Sequence, residues 1–332
     1  MAIELAAEIQ KRYGFVRRAR GCYLYTEKNV RLTDCFLDGG RALLGWDGGK
    51  ARTVFKDTLE RGANGSYCGG YESRLATAVR HLLPGEYTEI RWYYDDCATL
   101  GASCAVCDSG ASGAARDSYN TAFGVSGANS ADRSTNSTPE SPTLPSANNA
   151  RFGAVLWRPW LDICATAEPK PTRYPEITIT HPGAERPDVI KLVPPFAWAT
   201  SLTIYAFRTG ATPATATQTQ NAAPATSREI PASDVVPAPL LAAYARAFCD
   251  LKTALGTYGE NDFKQFSAQL SPLFDRRACW LFPKIPRDRY DDFVLRCLDE
   301  KIVVSPDYDT PSVMPWRANK GDIKRIASCY IQ

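Results

Sequence analysis

The stretch GCYLYTEKNVRLTDCFLDGGRALLGW, residues 21–46, reads as two short strands around a turn at Glu27-Lys28-Asn29, followed by a glycine-rich exit. Working outward, residues 50–62 and 70–83 carry helical patterns. In the second, Tyr71, Leu75, Ala78, Val79 and Leu82 recur at helical spacing, and Pro84-Gly85 ends the run. TEIRWYY, residues 88–94, then reads as a buried strand.

Further on, residues 108–150 and 209–234 are rich in small polar side chains, Ala and Pro, a composition that buries little apolar surface and reads as low-complexity insertion. Between them FGAVLWRPWL (152–161) and PEITITH (175–181) look like strands, and residues 189–207 hold a strand followed by a helix or a second strand. The last third begins with an apolar stripe of Leu241, Tyr244, Ala245, Phe248, Leu251 and Leu255, with Pro237 and Pro239 near the helix start. ACWLFP (278–283) follows as a strand, then a helix bearing Tyr290, Phe293, Val294, Cys297 and Leu298, a strand at 301–306, and a helix at 322–330. Alternating strands and helices imply an α/β layered architecture.

Composition bounds the function. The 332 residues, 44% hydrophobic, can bury a core in one large or two ordinary domains. No run approaches the ~18–20 apolar residues of a membrane-spanning helix, and the N-terminal residues lack the apolar core of a secretory signal. A net charge of +3 is too mild for a nucleic-acid footprint. The expectation is a cytoplasmic protein with neither a membrane nor a nucleic-acid partner. Most of the 11 cysteines read as small buried hydrophobes. Cys104 and Cys107, with Cys97 upstream, form the single close group, and His81 and His181 lie too far off in sequence to complete a zinc tetrahedron, so no metal is expected.

Several ordered matches resemble one family. Gly21-x-Tyr23-Leu24-Tyr25, Leu32-x-Asp34, Gly39-Gly40 and Leu44-Gly45 are similar to the N-terminal segment of class III pyridoxal-phosphate-dependent aminotransferases, in particular the glutamate-1-semialdehyde aminomutase-like members. Arg91-Trp92-Tyr93-Tyr94 resembles the strand before that family's phosphate loop. Residues 278–326 resemble its small C-terminal domain, with Lys301 in a glycine position. The resemblance implies an α/β fold of the PLP-dependent transferase fold type I: a central mixed, mostly parallel sheet flanked by helices, plus a small α+β C-terminal domain. Residues 1–50 would be the N-terminal segment of the small domain, 51–237 a reduced large domain, and 238–332 a helix and the small domain. It also implies a homodimer, or a heterodimer with an active paralogue.

Coenzyme chemistry of this type needs a lysine amine, an acid for the pyridinium nitrogen and an anion cradle. Against the family's pattern, Asp95-Asp96-Cys97-Ala98-Thr99 places two carboxylates in the phosphate loop, and each would oppose an anion by several kcal/mol at close range (order of magnitude). Ser109-Gly110-Ala111-Ser112-Gly113 mimics the loop from within the low-complexity stretch. Arg158 occupies the usual glutamate position, and the strand 177–181 carries no acid. Lys191 is the single Schiff-base candidate, three residues after Pro187-Asp188, with Pro194-Pro195 where the family has glycines. Flanked by Ile190 and Leu192, it also reads as a strand residue pointing to solvent. The expectation is therefore a degenerate member with no cofactor, acting as a binding or structural subunit. The alternatives are an active pyridoxal-phosphate enzyme using Lys191, and an α/β protein of unrelated activity. The acid pair Asp291-Asp292 reads as a solvated helix face, His81 as a helix-end residue, and Lys11, Arg12, Arg17, Arg18 and Arg20 as a basic surface.

Overall fold

The stretch at 21–46 folds as its pattern requires. Strands β2 (Tyr23–Thr26) and β3 (Arg31–Asp34) pair antiparallel with Tyr23 opposite Thr33, and Asn29 takes the left-handed conformation (φ 58°) that closes the turn. In this computed structural model the described residues are 3–63, 69–94, 154–161, 187–198, 202–210, 230–264, 267–315 and 318–329. The expectations at Asp95–Thr99, Cys104 and Cys107, 108–150, 175–181 and His181, and most of 209–234, lie outside them.

β1 (Val16–Arg20) adds to β2, and β10 (Ile302–Val303) pairs parallel with β3, giving the order β1-β2-β3-β10. Residues from the two ends of the chain thus share one sheet. Helix α1 (Leu5–Tyr13) covers it through Ile9, which clusters with Leu24, Leu32, Leu298 and Val303. The Arg12 guanidinium meets Asp299, and the Tyr13 hydroxyl donates to the Leu298 carbonyl at 2.6 Å.

A second sheet has the order β4-β7-β6-β5, from β4 (Tyr87–Tyr93), β5 (Val155–Leu156), β6 (Val189–Leu192) and β7 (Thr203–Arg208). β7 runs antiparallel to β4 and β6, and β5 runs parallel to β6. The open choice at 189–207 therefore resolves as a second strand. Helices α2 (Gly49–Glu60), α3 (Tyr71–Arg80) and α4 (Ala238–Thr257) pack on one another against one face, where Leu75, Val79, Ile90, Trp92, Ile190, Leu192, Ile204, Leu241, Tyr244 and Phe248 interlock. Each large apolar side chain buried there contributes about 1.5–3 kcal/mol. The opposite face carries Tyr93, Val189, Tyr205 and Phe207.

The third sheet, β11-β9-β8, joins β8 (Phe274–Arg277), β9 (Trp280–Pro283) and β11 (Ser312–Val313), with helix α5 (Tyr290–Asp299) inserted between β9 and β10. The strand expected at 301–306 shortens to Ile302–Val303, and the helix expected at 322–330 is one α-helical turn, Lys320–Lys324, continued as a 3-10 turn over Arg325–Cys329. The two differences have separate causes: Pro306 cannot extend a strand ladder, and short terminal turns tighten to i→i+3 bonding.

Candidate ligand site at the carboxyl edge of the mixed sheet

Because β4, β5 and β6 point the same way, their carboxyl ends share one edge, the position at which open α/β sheets hold ligands. Tyr94 follows β4, Trp157, Arg158, Pro159 and Trp160 follow β5, and Val193, Pro194, Pro195 and Phe196 follow β6.

The loop after β3 is carried onto the same region by a buried carboxylate. Asp34, 1% exposed, accepts the backbone N–H groups of Phe36 and Leu37 through Oδ1, each at 2.9 Å, and the Trp46 indole N–H through Oδ2 at 2.7 Å. Burial pushes its pKa up to about 6, opposed by these three donors. With both ends so anchored, the intervening chain makes a left-handed turn: Leu37, Asp38, Gly39 and Gly40 have φ of 48°, 53°, 65° and 92°. Two of the four bear a Cβ, at a cost of roughly 1–2 kcal/mol each, and backbone strain of this kind collects at functional sites.

The turn makes close contacts. A Cβ on Gly40 would stand 2.9 Å from Cη2 of Trp280, and one on Gly48 2.8 Å from Cε2 of Phe196, so only glycine admits these two rings. Trp280 donates its indole N–H to the Pro159 carbonyl at 2.7 Å, and the Arg158 guanidinium lies 5.0 Å from the Trp280 ring centre. Phe196 meets Tyr244 of α4 edge-on, with centroids 6.0 Å apart. Arg41, next in the chain after Gly40, places its charge where both Asp38 and Tyr244 feel it. The Tyr244 phenol is pushed up chiefly by burial and then by Tyr94, with Arg41 opposing, and the Asp38 carboxyl is pushed up by burial against the pull of Arg41. Tyr94 is likewise raised by burial and by Asp234, which accepts the Tyr94 backbone N–H at 2.7 Å. The edge thus gathers two arginines, two phenols that stay protonated at neutral pH, and a wall of indole and phenyl rings.

The residues singled out from sequence fall as follows. Lys191 lies inside β6, opposite Tyr205 of β7 and beside Leu156 of β5. It is 8% exposed, so the reading of a side chain pointing to solvent is corrected: β6 is an inner strand with neighbours on both sides and is buried along its whole length. Arg158 does stand at the end of β5. Asp291 and Asp292 are exposed on the first turn of α5, and His81 is an exposed residue at the C-terminal end of α3. Cys22, Cys35 and Cys297 are buried thiols whose pKa values burial raises, and Cys249 is exposed. Among the described residues no group of His, Cys, Asp and Glu could hold a metal ion, and no helix is long and apolar enough to cross a membrane. Arg41, Tyr94, Tyr244 and Trp280 were missed as site residues, since they come from four separate segments; the Gly39-Gly40 pair was their single local signal.

An uncharacterised protein of Treponema pallidum (strain Nichols) is 30% identical over 321 residues, which span 93% of this chain and 91% of that protein. The chain belongs to its family. No family model matches the sequence. Among solved structures, an ornithine aminotransferase of Plasmodium yoelii superposes with a TM-score of 0.50 at 10% identity, covering 95% of this chain and 91% of that one. A β-phenylalanine aminotransferase of Variovorax paradoxus gives 0.50 at 13%, covering 95% and 85%. The fold is that of the pyridoxal-phosphate-dependent aminotransferases.

Proposed function

We propose that the protein is a class III aminotransferase-like binding subunit that has given up Schiff-base chemistry. The observation that carries this is the end of β6. The chain leaves the sheet there as Val193-Pro194-Pro195-Phe196, and Lys191 sits within the strand, between β5 and β7. An internal lysine must approach a ring lying across the sheet edge, and an acid must face that ring's nitrogen. The described edge after β5 and β6 offers tryptophans, prolines, a phenylalanine and Arg158, whose positive charge would repel a pyridinium. These residues do not fit the coenzyme.

A second reading keeps Lys191 as a Schiff-base amine and pyridoxal 5'-phosphate as the coenzyme; its burial beside the end of β5 favours this over a surface role. One experiment separates the two. The purified protein is incubated with pyridoxal phosphate, treated with borohydride and digested for mass analysis. No phosphopyridoxyl adduct is the expected result; a stoichiometric adduct on Lys191, lost in Lys191→Ala, overturns the proposal. We further propose a homodimer or a pairing with an active paralogue: light scattering on the protein alone and with that paralogue should give twice the 36.5 kDa mass in one of the two, and a monomer in both contradicts it.

A further inference from the structure

Strand β1 ends its sheet with an open side. It stands outermost in the order β1-β2-β3-β10, so among the described residues no strand pairs with its outer edge. Val16, Arg17, Arg18 and Arg20 are exposed and Ala19 is half-buried. An outermost strand carries a row of backbone N–H and C=O groups ready to pair with another chain. Register sorts its side chains. Arg18 stands opposite Tyr25 and Arg20 opposite Tyr23, so the two arginines share one face of the sheet. Ala19, opposite Leu24, turns to the other face and packs on the cluster beneath α1. The register shift between Val16 and Arg18 takes Arg17 out of line, and it pairs instead with Glu27 at 3.1 Å. The Arg18 guanidinium lies 4.3 Å from the Tyr25 ring centre, which steadies it. Among the described residues no carboxylate lies within 4.0 Å of Arg18 or Arg20.

Arginines on an outer strand turn away a second copy of the chain: antiparallel pairing of two β1 strands about Arg18 or Ala19 would set arginine against arginine. Deterrence alone does not account for Phe15 and Val16, large apolar side chains left 61% and 42% exposed at the head of the same strand. Nor does the face suit stacked nucleobases, because the Tyr25 and Tyr23 rings already carry the Arg18 and Arg31 guanidiniums, the second at 4.6 Å. Unpaired cations on one face and apolar surface on the other match an extended chain that alternates acidic and apolar residues. We propose that the outer edge of β1 takes up such an acidic segment of a partner protein as an added strand, with carboxylates beside Arg18 and Arg20 and an apolar side chain between them beside Ala19. The inference is independent of the reading of Lys191, and a trapped adduct there would leave it standing.

The test titrates a fluorescent peptide, Thr-Glu-Val-Glu-Val-Glu-Thr with both ends blocked, into the full-length protein and follows anisotropy. Saturable binding is expected. The same residues reordered as Glu-Glu-Glu-Val-Val-Thr-Thr keep the charge and lose the alternation, and should bind about tenfold more weakly. Methylating every peptide amide nitrogen keeps the side chains and removes the N–H donors, and should abolish binding. The double variant Arg18→Glu, Arg20→Glu, checked as folded by circular dichroism, should lose roughly tenfold or more, and should instead bind the peptide with lysines in place of glutamates. Absence of saturable binding, equal binding of the reordered or methylated peptide, or no gain for the lysine peptide in the double variant would each overturn the proposal. So would an oligothymidylate that binds more tightly than the peptide and is lost in the same variant, or a dimer by light scattering that this variant dissociates, since these put a nucleic acid or a second copy on the edge.

Discussion

Asp34 holds the turn that delivers Arg41, and its ionisation is measurable without any ligand. It is fully buried, has no cationic partner within 4.0 Å among the described residues, and its pKa is pushed from 3.8 to about 6. The native state therefore binds this proton more tightly than the unfolded chain, so the group's favourable contribution is complete below pH 3.8 and is lost as pH rises through about 6. A rise of this size is worth about 3 kcal/mol in full, and about 2–3 kcal/mol of it falls between roughly pH 4 and pH 7. In Asp34→Asn the titration is gone. The amide oxygen can still accept from Phe36 and Leu37, but its NH2 faces the Trp46 indole N–H, which costs about 1–3 kcal/mol at every pH. Urea unfolding of both proteins across that range should show the stability of the unaltered protein falling relative to the variant as pH increases. Trp46→Phe removes a donor that favours the ionised form, so it should move the fall to higher pH. A difference between unaltered protein and Asp34→Asn that stays flat with pH, or that grows as pH rises, would refute the account of Asp34 as a buried carboxyl with a raised pKa.

Three further outcomes follow from particular contacts. Gly40→Ala should lose about 2–4 kcal/mol in chemical denaturation, because the new methyl meets Trp280 at 2.9 Å in a backbone with φ 92°, and an indole held by Pro159 cannot easily move aside. Lys301→Gly should gain about 0.5–1 kcal/mol, since Lys301 ends α5 in the left-handed conformation (φ 63°) that glycine adopts without strain; no gain in unfolding temperature would count against this. Phe293→Ala should cost about 3–5 kcal/mol, as a fully buried ring edge-on to Phe274 leaves a cavity behind, and a loss under 1 kcal/mol would mean that the α5 contact with β8 is mistaken.

Some elements were legible because their signal is local. Asn29 in a tight turn, the helical spacing of Leu75, Ala78 and Val79, and the proline start of α4 each depend on neighbours in sequence. β1 was not read, because Val16–Arg20 is an exposed edge strand of mostly arginines with no alternation to detect. Nor was β8, whose Phe274-Asp-Arg-Arg becomes a strand by pairing with β9 across a turn at Ala278 with φ 48°. Lys191 shows the same limit: isoleucine and leucine on either side fit an edge or an inner strand equally, and only pairing on both sides buries it.

Periodicity and turn residues in the sequence by themselves determined the turn at Asn29, helix α3 and the proline start of α4, since those depend on contacts a few residues apart. The tertiary structure alone decided the convergence of Arg41, Tyr94, Tyr244 and Trp280 at one sheet edge, because the pairing of β7 between β4 and β6 and the left-handed turn after Asp34 bring together groups that no local interaction links.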